Sequence, residues 1–485
     1  MTRYAPSPTG YLHLGGLRTA LFNYLFAKQH GGRFLLRIED TDTKRTVPGA
    51  AEHLQLLLSR FGLHHDGTVE RQSDRLPLYH EHAENLLENG RAYRCFCTEE
   101  RLKEMKLQSR FASGHSSGYD GKCRSLSLED VRFKLENNEP HVLRMKTPTT
   151  GTTVIEDIVH GRTVFENSTI DDQIIIKSDG FPTYHLASVV DDHHMNVSHV
   201  IRGDEWMSST PKHMALYDSL GWNPPEFAHL PLLLNKNHSK LSKRNGDGDV
   251  NSLLDEEGYL PSGVLNFVAL LGWSPKLPSD DEETLTDVVF PSMESLIEKF
   301  DIRRATKKGV VVDPDFMYWM NGQHVRLQEP QALVDELRLS CPAAAEHDTE
   351  HLLKVIDLIK TRVFRMRDLS HYAAPFIACE KFPLERSGGD KLVLDSSYKD
   401  WKEIIPIIVQ GLTSLSDWSS QSELKGVLKN ITHEVKDQKH PTLKFKNLML
   451  IIRWATTGTL QGAELQPTFQ LLGKHETISR LETCI

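Results

Sequence analysis

Residues 3–32 read "RYAPSPTGYLHLGGLRTALFNYLFAKQHGG", and this stretch does most to restrict the fold. Residues 2–5 have the character of a short strand, and "PSPTG" breaks any regular element as a loop. From Gly15 to Lys28 the apolar residues Leu17, Ala20, Leu21, Tyr24 and Leu25 recur at offsets of three and four, the stripe of an amphipathic helix. Gly31-Gly32 ends it. "RFLLRIED" then supplies a buried strand. A strand, loop, helix and strand within about 40 residues predict a βαβ unit. Ligands bind such sheets at the carboxyl ends of the strands. His13, Gly15 and Gly16 stand where the helix begins. Backbone N–H groups and the positive end of the dipole suit a phosphate there, although "HLGG" alone is equally a capped turn.

The totals set outer bounds. A chain of 485 residues with 39% apolar content predicts roughly three to four domains. No apolar run approaches the roughly 18 residues needed to span a bilayer, so no membrane role is expected. Six cysteines, unevenly spaced, argue for a reducing compartment rather than a disulfide framework. A net charge of −9 argues against a general nucleic-acid coat protein and leaves room for a local basic track. Neither a signal peptide nor an Arg/Ser-rich transit segment is visible after Met1.

Beyond residue 90 the pattern changes to short strands and turns, as though a domain had been inserted. "IIIKSDGFPTYHLASVVDDHHMNVSHVIRGDEW" then returns to strand, helix and strand. After Leu241 the chain is mainly helical, and Pro330 opens a set of Leu-spaced helices. A second cluster stands beyond the resumed sheet: "SKLSKRNGD", Ser239 to Asp247, with two lysines and an arginine among Ser, Asn and Gly. A loop of this kind is usually solvated surface.

The pairing of a His-X-Gly-Gly helix start with a Lys-Leu-Ser-Lys-Arg loop, across an insertion between two sheet halves, resembles the two signatures of class I aminoacyl-tRNA synthetases. Together with "GGRFLLRIEDTD", "DGFPTYHLASVVDDHHM" and "VIRGDEW", and more weakly "WMNGQHVRL" and "LMLIIRWATTGTLQG…LLGKHETISRLE", the chain is similar to the glutamyl-tRNA synthetase family over nearly its whole length. That resemblance implies an α/β fold, a Rossmann-type catalytic domain split as residues 1–90 and 180–240. An acceptor-end-binding insertion would cover 91–179, a stem-contact region 241–328, and a helical anticodon-binding domain 329–485. It implies ligation of L-glutamate to tRNA(Glu) through glutamyl adenylate, using ATP with Mg, with tRNA needed for the first step and no covalent enzyme intermediate. Charging of tRNA(Gln) stays open, and a monomer is expected.

The resemblance also carries residue roles. Negative charge grows on departing pyrophosphate, and positioned donors must meet it. His13, Lys240 and Lys243 would do so, with Gly15, Gly16, Ser242 and Arg244 completing the ATP site. Arg3, Ala5 and Ser7, alternating in an extended segment, would meet the amino acid. Glu39 would take its α-ammonium. Tyr184 and Arg202 would hold the side-chain carboxylate, Arg202 as a bidentate fork, with Trp206 against the pocket. The family commonly has Asn where this chain has Ser188. A glutaminyl enzyme is disfavoured by the cation at Arg202. A truncated paralogue is disfavoured by the complete C-terminal half, and a binder that has lost catalysis by the presence of His13, Lys240 and Lys243.

Four consecutive residues, Asp191, Asp192, His193 and His194, cannot all face one ion on a regular element, so hydrogen bonding is expected of them. Cys95, Cys97, Tyr119 and Cys123 resemble the zinc pattern of some bacterial members, and other members lack the metal. Arg303, Arg304, Lys307 and Lys308, and the run from Lys436 to Lys446, are basic patches suited to tRNA backbone. "RTVPGAAEHL" and "DDHHMNVSHVIRGDEW" look like the organellar form. They imply the mitochondrial matrix, with the cytoplasm as the alternative and any targeting segment outside this chain.

Overall fold

A computed structural model describes residues 1–42, 44–113, 118–241, 249–276, 288–379, 383–397, 401–438 and 444–484. The chain forms two compact units, one of residues 1–253 and 265–314, the other of 254–264 and 315–485.

The first unit is built on the expected βαβ start. β1 (Thr2–Tyr4) runs parallel to β2 (Phe34–Ile38), with Arg3 opposite Leu35, and α1 (Leu14–Gln29) connects them. Every residue of β2 is buried, as expected of a strand covered on both faces. α1 begins one residue earlier and ends one later than the apolar stripe predicts, within ordinary fraying. β2 pairs in parallel with β3 (Glu70–Arg71) to complete a sheet in the order β1-β2-β3.

The segment expected as an insertion divides its strands between two sheets. β4 (Ala92–Cys95), β5 (Val142–Met145) and β8 (Ile174–Ile176) form an antiparallel sheet in the order β4-β5-β8. The hairpin of β6 (Thr152–Asp157) and β7 (Gly161–Glu166) instead extends the sheet of β9 (His199–Gly203) and β10 (Glu226–Leu230), in the order β7-β6-β10-β9. β6 meets β10 in parallel at one pair, Asp157 and Phe227. So the hairpin delivers Asp157 to the second sheet, a placement that hydrophobic pattern alone does not encode.

The two sheets meet through backbone groups and one buried amide. Met1 O accepts hydrogen bonds from the N–H groups of Ser198 and His199 at 3.0 and 3.3 Å. Asn23, inside α1, donates to Ile201 O at 2.9 Å, while Thr2 Oγ1 donates to Asn23 O at 2.8 Å. A polar residue in the buried face of a helix needs such partners, and here they join strands far apart in the sequence. A two-stranded parallel pair, β11 (Leu233–Leu234) with β12 (Val310–Val311), completes this unit.

The second unit is helical. Helices Pro330–Ser340, Thr349–Ile359 and Leu369–Ile377 surround a core that includes Leu333, Leu337, Leu352, Ile356 and Ile377. Helices Trp401–Thr413, Gln421–Gln438, Phe445–Thr457 and Leu465–Glu482 surround another, centred on Trp401, Ile405, Leu448, Ile452 and Phe469. Asp348 caps its helix by accepting the His351 N–H at 2.7 Å, a typical N-cap bond. Gly458, at φ 78°, ends the helix Phe445–Thr457 in the left-handed conformation that favours glycine. No described helix is long and apolar enough to cross a membrane.

Candidate active site

At the carboxyl ends of β1, β2 and β9 lies a cavity of about 330 Å³ whose walls include Arg3, Ala5, Ser7, His13, Glu39, Tyr184, Arg202, Trp206 and Lys240. Residues more than 230 positions apart thus converge where a parallel sheet is expected to bind its ligand. Gly15 and Gly16 are also in the wall. Ser242, Lys243 and Arg244, expected to close over phosphates, lie outside the described residues. Lys240 is exposed at the near end of that loop.

His13 acts first on its own helix. Its Nδ1 accepts the N–H groups of Gly15 at 3.1 Å and Gly16 at 3.2 Å, so the ring proton of the neutral imidazole sits on Nε2. The two amides expected to face a phosphate are thus held by His13 at the cavity wall. The glycines also sit in close packing. A Cβ on Gly15 would stand 3.0 Å from His13 Cε1, and one on Gly16 only 2.8 Å from the Tyr4 hydroxyl.

Arg3 is buried and ion-paired, its Nε donating to Asp192 Oδ1 at 2.9 Å. Asp192 also receives Arg37 Nη1 at 2.6 Å, and Arg37 Nη2 donates to Glu39 Oε1 at 3.1 Å. Asp191, facing the other way on the same helix, takes Arg75 Nε at 2.8 Å, the Tyr79 hydroxyl and the Gln72 amide. Burial pushes the Asp192 carboxyl up, but the Arg3 and Arg37 charges outweigh it and hold it below the usual carboxylate range. For Glu39 burial prevails over the same two arginines, and its pKa is raised. Ser188 donates to Glu39 Oε1 at 3.1 Å, so the residue that departs from the family pattern still supports the expected ammonium site. The acidic half of "DDHHM" is engaged with arginines. In its other half, His193 stacks on Trp222 at 3.8 Å and His194 Nε2 lies 2.8 Å from His82 Nε2.

Arg202 has a different setting. It is 5% exposed, and its donors are all directed to neutral groups. Nε donates to His229 Nε2 at 3.1 Å, and Nη1 faces the Tyr184 hydroxyl at 3.0 Å and His213 Nδ1 at 3.3 Å. Nη2 donates to Thr210 Oγ1 at 2.9 Å and to Trp206 O at 3.3 Å. Among the described residues, no carboxylate forms an ion pair with it. Burial drives the His213 pKa well below its ordinary value and the His185 pKa down to about 4, with nearby cations acting in the same direction. Both imidazoles are thus neutral near pH 7. A buried cation surrounded by neutral acceptors is an unfavourable state that an incoming anion relieves. Tyr184, whose ring lies 4.2 Å from that of Trp206, completes the wall beside it.

Sequence reasoning missed Arg37, Asp157, Thr210, His213 and His229. Two signals were available: an arginine inside the apolar strand "FLLRI" and a histidine inside "EFAHL" both require buried partners.

A separate cluster joins β4 to the segment after the helix Glu99–Ser113. The sulfurs of Cys95, Cys97 and Cys123 lie within 4.8 Å of one another, and the Tyr119 hydroxyl is 3.3 Å from Cys95 Sγ and 3.5 Å from Cys97 Sγ. Burial raises the Cys97 thiol to about 11.

Residues 1–319 match the model for class I tRNA synthetases (E and Q), catalytic domain, and residues 326–485 match the model for an anticodon binding domain. The chain is 37% identical to a glutamate–tRNA ligase of Clostridioides difficile, covering 99% of this chain and 97% of that protein. It is 39% identical to one of Chloroherpeton thalassium, covering 100% and 97%. The structure resembles that of a glutamate tRNA ligase from Elizabethkingia meningosepticum in complex with its amino acid, at TM-score 0.79 and 33% identity over 100% of this chain and 98% of that one.

Proposed function

We propose, from the premise that this chain belongs to the glutamate–tRNA ligase family of class I tRNA synthetases, that the cavity around Arg202 selects glutamate by its side-chain carboxylate. The chain joins L-glutamate to tRNA at the expense of ATP, which class I synthetases use with magnesium. The observation that carries the selectivity is the burial of Arg202 among neutral partners. A carboxylate beside it gains a charge-assisted pair, whereas the amide of glutamine leaves the cation uncompensated and can turn an NH2 toward it.

The other roles follow from place and charge. Glu39, with its described hydrogen bonds on Oε1, offers Oε2 to the α-ammonium of glutamate. Arg3, in the cavity wall and held by Asp192, is assigned with Ala5 and Ser7 to meet the amino acid. Attack of the glutamate α-carboxylate on the α-phosphate of ATP develops charge on pyrophosphate, and His13, Lys240 and Lys243 are the groups assigned to meet it. Residues 91–179 are assigned to the acceptor end, 241–328 to the stem and 329–485 to the anticodon. Glutamylation of tRNA(Gln) is a further possibility for this anticodon region. The chain works as a monomer.

Three thiols and a phenol converging on one point suit a tetrahedral structural zinc ion, held by Cys95, Cys97, Cys123 and Tyr119. Elemental analysis of protein purified without chelator is expected to find one zinc per chain, and absence of metal would return these residues to ordinary packing. The likeness to organellar sequences supports the mitochondrial matrix. Imaging of the full-length product tests it, and an exclusively cytosolic signal would contradict it.

ATP–pyrophosphate exchange with each amino acid, with and without tRNA, tests the activity. Exchange is expected for glutamate when tRNA is present. Equal exchange with glutamine would overturn the selectivity.

A further inference from the structure

We propose that Asp157 and His229 form a positioning relay that fixes the Arg202 guanidinium for the glutamate side-chain carboxylate. The inference rests on the reading of Arg202 as the group that meets that carboxylate, and extends it to two residues with no assigned role.

The geometry is directional. His229 lies next to the end of β10 and Asp157 at the end of β6, and both side chains are fully buried. His229 Nδ1 is 2.6 Å from Asp157 Oδ2, which places the ring proton on Nδ1 because a carboxylate only accepts. Nε2 is then an acceptor, and it lies 3.1 Å from the donor Nε of Arg202. The Thr210 hydroxyl, 3.2 Å from the same Nε2, also accepts from Arg202 Nη2. One edge of the guanidinium is thereby clamped, which sets the plane in which the remaining donors lie.

The carboxylate itself is held from its other side. Asp157 Oδ1 accepts the N–H groups of Val159 and His160, each at 2.9 Å, in the turn between β6 and β7. The His229 backbone N–H approaches the same Oδ1 at 3.4 Å, and Oδ2 is left for the imidazole. A carboxylate that orients an imidazole, which orients a functional group, is the arrangement by which outer partners tune inner ones at many sites. Here the inner group is an arginine. Burial favours the neutral imidazole and is only partly offset by Asp157, in keeping with an acceptor at Nε2.

Three substitutions separate positioning from mere packing. In Asp157→Asn the amide can keep its oxygen in the turn and present NH2 to His229, which moves the ring proton to Nε2 and sets donor against the Arg202 donor. In His229→Gln the side-chain oxygen can replace the acceptor. In His229→Asn the side chain is too short to reach Arg202. The readouts are KM for glutamate and for ATP, in tRNA-dependent pyrophosphate exchange, and the Glu/Gln ratio of kcat/KM.

Asp157→Asn and His229→Asn are expected to raise KM for glutamate about tenfold with KM for ATP unchanged, while His229→Gln stays nearer to wild type. Equal effects of the two His229 substitutions on both substrates would overturn the relay. If Asp157→Asn does not fold, the His229 pair decides, since it leaves the β6–β7 turn intact. Arg202→Met is run alongside. If it alters glutamate KM while the relay variants do not, the relay is wrong and the Arg202 reading stands; if it alters nothing, the Arg202 reading fails and the relay with it.

Discussion

Arg3 and Arg202 stand in the wall of one cavity and are almost equally buried, at 3% and 5% exposed, yet their surroundings are opposite. Arg3 belongs to a network in which Arg37 and Arg75 are matched by Asp191, Asp192 and Glu39. Arg202 is ringed by Tyr184, Thr210, His213, His229 and a carbonyl oxygen. The first arrangement is complete without a ligand. The second is complete in hydrogen bonds and incomplete in charge, and that is what distinguishes a scaffold from a reader of anions.

If that contrast is correct, removing a carboxylate from the balanced side has the largest effect on stability. Asp192→Ala leaves the buried Arg3 without its carboxylate and Arg37 with only Glu39 and Asp191, and is expected to destabilise the protein by about 3–5 kcal/mol, measured by urea unfolding of this chain. A change under 1 kcal/mol would mean that water reaches the network and that the two regions do not differ.

The two regions are also expected to fail in different pH windows. The His185 pKa is depressed to about 4 from an ordinary 6.5. Its contribution is therefore fully present above pH 6.5 and lost as pH falls from there toward 4, a difference on the order of 3 kcal/mol. Burial is the first cause; Lys212 and Arg202 act with it and Asp171 against it. Asp192, with its pKa held down, retains its contribution throughout that window and loses it only as pH falls below the usual carboxylate range. His185→Phe should flatten the upper part of the stability–pH curve and leave the lower part. A curve unchanged by the substitution would contradict the neutral imidazole.

The smallest stability effect is expected at the unbalanced arginine itself. Replacing a buried charge that lacks an opposite partner removes its desolvation penalty along with its hydrogen bonds. Arg202→Met should therefore change unfolding free energy by only about 1 kcal/mol in either direction in protein without glutamate. A loss comparable to that of Asp192→Ala would show that Arg202 is structural.

Much of this was legible in the residue pattern, for identifiable reasons. The βαβ start follows from helical periodicity between a Pro/Gly loop and a glycine pair. The cavity residues Arg3, Glu39, Tyr184 and Arg202 come from the resemblance to the glutamyl-tRNA synthetase family, carried over by position. What the pattern lacked was pairing across long separations. The ion pair of Arg3 with Asp192 has no local signature, because the carboxylate comes from the helix Tyr184–His194, far along the sequence. The cap that His13 places on the amides of Gly15 and Gly16 was likewise not read from the sequence. Asp157 was invisible as a site residue because its role depends on β6 joining the sheet of β9 and β10, a tertiary choice with no local signature.

The most direct test of the Arg202 reading is the ratio of kcat/KM for glutamate over glutamine, measured in wild type and in Arg202→Met with a tRNA that the protein charges. An uncompensated buried cation predicts a strong preference for glutamate in wild type and a fall of at least about a hundredfold in that ratio in the variant, with KM for ATP unchanged. A ratio that stays the same after Arg202 is removed would contradict the account.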